Sequence, residues 1–206
     1  MEELERPKIS IIVPIHDMVG GAYFMWRLIQ SLATQSFKDY ELIITKEGKM
    51  AENTNAGIRK ARGEIIKILF MDDYFLHPDA LKNIVEAFDT HYIHWLATGC
   101  VHQEEDGPLK NPHYPTYSHD IETGNNTIGS PSVIAFRRED TLFFDEKLSF
   151  LLDCDLYKRF YQNHGKPFIL NDLNVVIGLG SHQTTHTMPN EEKLSEFNYL
   201  KEKKYV

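Results

Sequence analysis

The stretch Glu64–Met71 constrains this chain most. It is apolar almost throughout, rich in isoleucine, and ends at two consecutive carboxylates, Asp72 and Asp73. Such a run reads as a central strand of a parallel sheet covered on both faces. In open parallel sheets, ligands bind beyond the carboxyl ends of the strands. Two neighbouring carboxylates placed there repel each other and lose hydration unless a cation or hydrogen-bond donors satisfy them. A hard divalent cation bridging them to a diphosphate is one solution. Loop acids capping the next helix are the other, since Asp is common in turns.

The flanking sequence alternates strand and helix patterns. Ile9–Ile15 is a β-branched run closed by Pro14, Asp17, Gly20 and Gly21. Ala22–Thr34 has apolar residues at helical spacing, Glu41–Thr45 is a short strand, and Asn53–Arg62 is a helix stopped by Gly63. Pro78 stands where a helix opens, with Leu81, Ile84, Val85 and Phe88 on one face. This alternation predicts an α/β domain with a mostly parallel central sheet and helices on both faces. The second half is less regular. Strands are predicted over His91–His102, Ser132–Arg138, Pro167–Leu170 and Asn174–Ile177, a helix over Leu151–Asn163, and a long polar loop over Gln103–Asn126. The expected organisation is one domain over residues 1–189, then a charged tail over 190–206, as a surface helix or a frayed end.

Composition narrows the function. The chain has 206 residues and a net charge of -8, which argues against non-specific nucleic-acid binding. No apolar run is long enough to span a bilayer, and the charged start MEELERPK does not resemble a signal peptide. Cys100 and Cys154 are the only cysteines, read as two free thiols in a reducing cytoplasm, with a peripheral membrane station as the alternative.

Four segments, ISIIVPIHD, SLATQSFKDYELIIT, NTNAGIRKARGEIIKILFMDDYFLHPDAL and FDEKLSFLLDCDLYKRF, together resemble the family 2 glycosyltransferases of GT-A (Rossmann-like) fold, in order and spacing. The resemblance implies an inverting enzyme that moves a sugar from a nucleotide-diphosphate sugar, a UDP-sugar first, to an acceptor hydroxyl on a glycan or other small molecule. It implies Mn2+ or Mg2+ as cofactor. Asp73 falls on the direct metal-ligand position, and Asp72 on one contacting the ribose or a metal-bound water. Asp153, in Asp153-Cys154-Asp155, matches the general base; a helix N-cap is the structural alternative. His182, or alternatively His186, falls in a segment that contacts metal or diphosphate. Pro14, Ile15, His16 and Asp17 match a stretch flanking the base. Lys46 replaces an Asp that reads uracil, and Glu47 substitutes for it after a shift of register. Asn55 matches an Asn of the helix that follows. The loop Gly124–Ser132 matches the region near sugar and acceptor. Two other classes compete: a nucleotidyltransferase-like enzyme, disfavoured because only Arg27 is basic near Gly20-Gly21, and an inactive nucleotide-sugar-binding scaffold.

Overall fold

The computed structural model describes residues 6–181, 183–203 and 205. The run after Pro7 forms β1 (Ile9–Pro14), followed by α1 (Gly21–Ala33), β2 (Tyr40–Thr45), α2 (Met50–Lys60) and β3 (Ile65–Ile68). Both β2 and β3 pair with β1 in parallel. All residues of β1 and β3 are buried. Since successive side chains point to opposite faces, both faces of this part of the sheet are covered. Helix α2 packs very close to β1: a Cβ on Gly57 would lie 2.3 Å from Ile12 Cγ2, so only glycine permits this approach.

Beyond β3 come β4 (Tyr74–Phe75), α3 (Ala80–Thr90), β5 (Trp95–Glu104), β6 (Lys110–His113), β7 (Ile134–Arg137), α4 (Leu152–His164), β8 (Phe168–Leu179), the short α5 (Thr184–Thr187) and α6 (Asn190–Glu202). The sheet order is β2-β1-β3-β7-β5-β8-β4, with β6 on β5. The three longest ladders, β1–β2, β1–β3 and β5–β8, are parallel, as the sequence predicts for most of the sheet, and short antiparallel ladders join them. Strand β7 runs antiparallel to both β3 and β5, and β4 and β6 are antiparallel to their partners. The sequence pattern misleads here because β7 is buried on both faces like a parallel strand. Residues 69–73 connect β3, near the centre of the sheet, to β4 at its far edge, and the sheet curls to allow it. The Asp72–Asp73 turn is that connection.

Several predicted boundaries shift for local reasons. Helix α2 begins at Met50, not Asn53, because the Glu52 carboxylate accepts from the Lys49 N–H at 2.7 Å, half of a capping box. Pro78 precedes α3 and offers its carbonyl to the Ser36 N–H at 2.7 Å. The expected loop over 103–126 contains the turn and the second strand of the β5–β6 hairpin. The two short strands expected after α4 are one strand, β8, whose register against β5 slips at Thr98/Gly99 and Gly99/Cys100. Such slips bend a strand without ending it. The segment 190–202 is a helix whose Glu196 and Leu200 are buried. Both cysteines are free and buried.

Candidate active site

The carboxyl ends of β1, β3 and β8 and the first turns of α2 and α4 surround a cavity of about 440 Å³. Its walls include His16, Lys49, Met50 and Asn53 together with Asp72, Asp73, Asp153 and Gly178. Asp73 and Asp153, far apart in the chain, therefore face one space.

Asp73 is only 2% exposed. The Gly178 N–H donates to its Oδ1 at 2.9 Å, and the Ser132 hydroxyl is a second partner. Burial, then the neighbouring Asp72 charge, pushes its pKa well above the usual carboxylate range. Lys67, buried on β3 and donating to the carbonyls of Ser132 and Ile134, offers partial compensation. Its own ammonium is weakened by burial to a pKa of about 7. A desolvated carboxylate short of positive charge, beside a second carboxylate and open to a cavity, fits a hard divalent cation such as Mg2+ or Mn2+. The Asp72 carbonyl is held by Arg27 Nη2 of α1 at 2.8 Å, and that guanidinium lies 4.5 Å from the Tyr74 ring centroid. These contacts fix the turn from behind.

Gly178 is required at its place. A Cβ there would sit 2.5 Å from the Asp72 carbonyl oxygen, a backbone atom that cannot swing aside. Gly178→Ala is expected to destabilise the protein by about 1–3 kcal/mol, the usual range for overpacking, and to weaken nucleotide binding together with it. Urea unfolding and calorimetric titration would measure the two effects.

Asp153 sits in the first turn of α4. The Asn126 amide donates to its Oδ2 at 2.7 Å and the Cys154 N–H to its Oδ1 at 2.7 Å. Burial outweighs these donors and pushes the pKa up to about 6. Asn126 also accepts from the N–H groups of Ile128 and Gly129, so it locks the loop before Ser130 and Pro131 while aiming Asp153. Ser149 and Phe150 complete the wall ahead of α4. Their N–H groups and that of Leu151 all donate to the Glu196 carboxylate of α6, at 2.8–2.9 Å. Asp155 is turned away and held by Arg159 and Lys203 at 2.7 and 2.6 Å.

The other expected residues divide. His16 lines the cavity. Pro14 ends β1 and Ile15 follows it, both outside the lining, and the Ile15 carbonyl accepts from the Asn53 amide at 2.8 Å. Asp17 is exposed and pairs with Lys46 at 2.7 Å. The Glu47 side chain pairs with Lys60 at 2.8 Å, outside the cavity lining. Asn55 is not brought to the cavity: its amide donates to the Phe144 carbonyl and Glu146, and its carbonyl accepts from the Phe144 N–H. Asn53 lines the cavity instead, donating to Ile15 and accepting from the Glu47 N–H at 2.9 Å, so it ties both turns together. The signal was present as two asparagines in Asn53-Thr54-Asn55; only the helix start at Met50 shows that the first one faces the strand ends. His182 lies outside the described residues. His186 is exposed and outside the lining, whereas Gln183, Thr184 and Thr185 belong to it. Trp95 is core, stacked 5.2 Å from Phe160. Among the described residues, no helix is long and apolar enough to cross a membrane.

No protein-family profile matches the chain, and no curated protein matches it in sequence. Solved structures do match in fold. S. aureus TarS 1-349 in complex with UDP superposes with a TM-score of 0.67 at 17% identity, over 94% of this chain and 64% of that one. The same protein in complex with UDP-GlcNAc gives 0.64 at 17%, over 88% and 61%. The mannosyltransferase PcManGT from Pyrobaculum calidifontis, in complex with GDP-Man and Mn2+, gives 0.64 at 15%, over 98% and 67%. The chain spans less than two thirds of the length of the TarS 1-349 chains. It has the GT-A fold that these neighbours share.

Proposed function

We propose that this chain is an inverting, metal-dependent glycosyltransferase that moves a sugar from a nucleotide-diphosphate sugar to an acceptor hydroxyl. The observation that carries the reading is the convergence of Asp73 and Asp153, eighty residues apart in the chain, on the lining of one cavity. Fold neighbours holding UDP, UDP-GlcNAc and GDP-Man support a nucleotide-sugar donor.

His16, Lys49, Met50 and Asn53 would receive the nucleoside, with Lys49 also available to the diphosphate charge. Asp73, with Asp72 beside it, would hold Mn2+ or Mg2+, and when bound the cation neutralises charge developing on the leaving diphosphate. The Gly178 N–H and Arg27 keep that turn in place. Asp153 acts as general base. The acceptor oxygen forms a bond to the anomeric carbon while the bond to the diphosphate oxygen breaks. The diphosphate leaves with that electron pair, and the acceptor proton passes to Asp153 Oδ1 or Oδ2. Attack from the face opposite the leaving group inverts the anomeric centre. Asn126 orients the carboxylate throughout.

A thermal-shift titration tests the reading. UDP, GDP and their sugars are added with and without Mn2+ or Mg2+. At a hundredfold excess over Kd a ligand of the folded state adds about 2.7 kcal/mol. At least one nucleotide is expected to raise Tm, and to do so more with metal. No rise with any of them overturns the reading.

A further inference from the structure

The end of the sheet opposite the cavity carries a second group of metal-type ligands. His94 lies just before β5, Asp140 just after β7, and His164 is the last residue of α4. Asp153 and His164 thus stand at the two ends of one helix, roughly 16 Å apart along its axis.

Asp140 Oδ2 lies 2.8 Å from His94 Nδ1, and Asp140 Oδ1 lies 3.8 Å from His164 Nδ1. The two imidazoles stack with centroids 4.9 Å apart and planes 26° from parallel. One ligand atom from each of the three side chains lies within 4.8 Å of the other two. One hydrogen bond accounts for the His94–Asp140 pair. It leaves His164 beyond hydrogen-bond distance of the same carboxylate, facing it without bonding to it.

The three segments are braced independently of these side chains. The Trp95 indole N–H donates to the Gly165 carbonyl at 3.0 Å, fixing the end of α4 against the start of β5. The Arg137 N–H donates to the His94 carbonyl at 2.9 Å, and Arg137 Nε to that of Ile93 at 2.8 Å. The ligands therefore stand on a pre-set frame. The side chains of Asp140 and His164 are 15% and 17% exposed and that of His94 35%, so the cluster is reachable from solvent.

We propose that His94, Asp140 and His164 form a transition-metal site, for Zn2+ first, separate from the nucleotide cavity. Two neutral imidazoles and one carboxylate, with water as fourth ligand, form a common tetrahedral Zn2+ set. Bonds of roughly 2.0–2.2 Å bring ligand atoms to about 3.3 Å from one another, which closes the His164 gap by side-chain rotation. A cation there also meets the carbonyl end of α4, where the helix dipole favours positive charge. Its binding clamps the far end of the helix that carries Asp153.

Chelator-treated protein, without nucleotide, is titrated with Co2+ and followed by visible absorption. One equivalent is expected to give the spectrum of a tetrahedral site and to be displaced by Zn2+. His164→Gln and His94→Gln are each expected to weaken Co2+ binding at least 10-fold, with the folded state checked by circular dichroism; His94, the most exposed of the three, is the safer for folding. Asp73→Ala is expected to leave the titration unchanged. Failure of the wild type to bind Co2+ overturns the site. So does unaltered binding in both histidine variants, or loss of the signal in Asp73→Ala.

Discussion

Asp153→Asn is expected to lower the transfer rate by about 10²–10⁴-fold, the usual contribution of a general base, while leaving nucleotide affinity within a few-fold of wild type. The wild type is expected to show an acid limb in kcat/KM. The base acts when deprotonated and burial sets its pKa at about 6, so activity falls as pH drops below that value. The residual rate of the variant has no such limb. Stability gives an independent reading. A carboxyl whose folded pKa is raised from 3.8 favours its protonated form in the folded state, so wild-type stability is fullest below about pH 4 and declines as pH rises through about 6. The decline amounts to about 3 kcal/mol. Asparagine cannot ionise, so the variant escapes it, although it loses one acceptor toward Asn126 or the Cys154 N–H. Urea midpoints at pH 4.5 and 7.5 should therefore move relative to each other in the wild type and less in the variant. An acid limb retained in the variant would remove Asp153 from the proton-transfer role.

Asp73→Ala is the second large effect. It is expected to abolish metal-dependent nucleotide binding and, with it, transfer: at least 100-fold in affinity, about 2.7 kcal/mol. Calorimetric titration of the nucleotide with Mn2+, and then in EDTA, separates the roles. The wild type should lose affinity in EDTA, whereas the variant should be weak in both. Asp73→Asn is the control that keeps an acceptor for the Gly178 N–H. If it binds as weakly as the alanine variant, the loss comes from the charge and not from a collapsed turn. Equal nucleotide affinity in Asp73→Ala and wild type would remove Asp73 from the donor site.

The parts of this fold that were legible in the sequence are those where one residue pattern has one structural meaning. The buried run ending at Asp72–Asp73 reads as a central strand, and β3 is one, with both of its faces covered. Asp153 is singled out by the resemblance of Asp153-Cys154-Asp155 to a family motif, because an Asp at a helix start is by position alone a helix cap. What stayed hidden depends on long-range packing. Strand β7 runs backwards, yet its burial pattern is that of its neighbours. The choice between Asn53 and Asn55 turned on where α2 begins, and that depends on Glu52 reaching back to Lys49. Asn126 was one polar residue in a polar loop until the structure placed it against Asp153. The β5–β6 hairpin has a polar, proline-containing second strand, which reads as loop.

Glu196 gives the protein an order of assembly. Its carboxylate gathers three main-chain N–H groups just ahead of α4, at the wall formed by Ser149 and Phe150. Every strand of the sheet lies earlier in the chain. During synthesis the sheet can therefore close before the cavity does. A nascent chain halted between β8 and α6 would possess the acidic turn and Asp153, but three amides just ahead of α4 would still lack their acceptor. Helix α6 thus closes the wall ahead of α4 from a segment that follows the whole sheet, so this wall is completed after the scaffold that supports it.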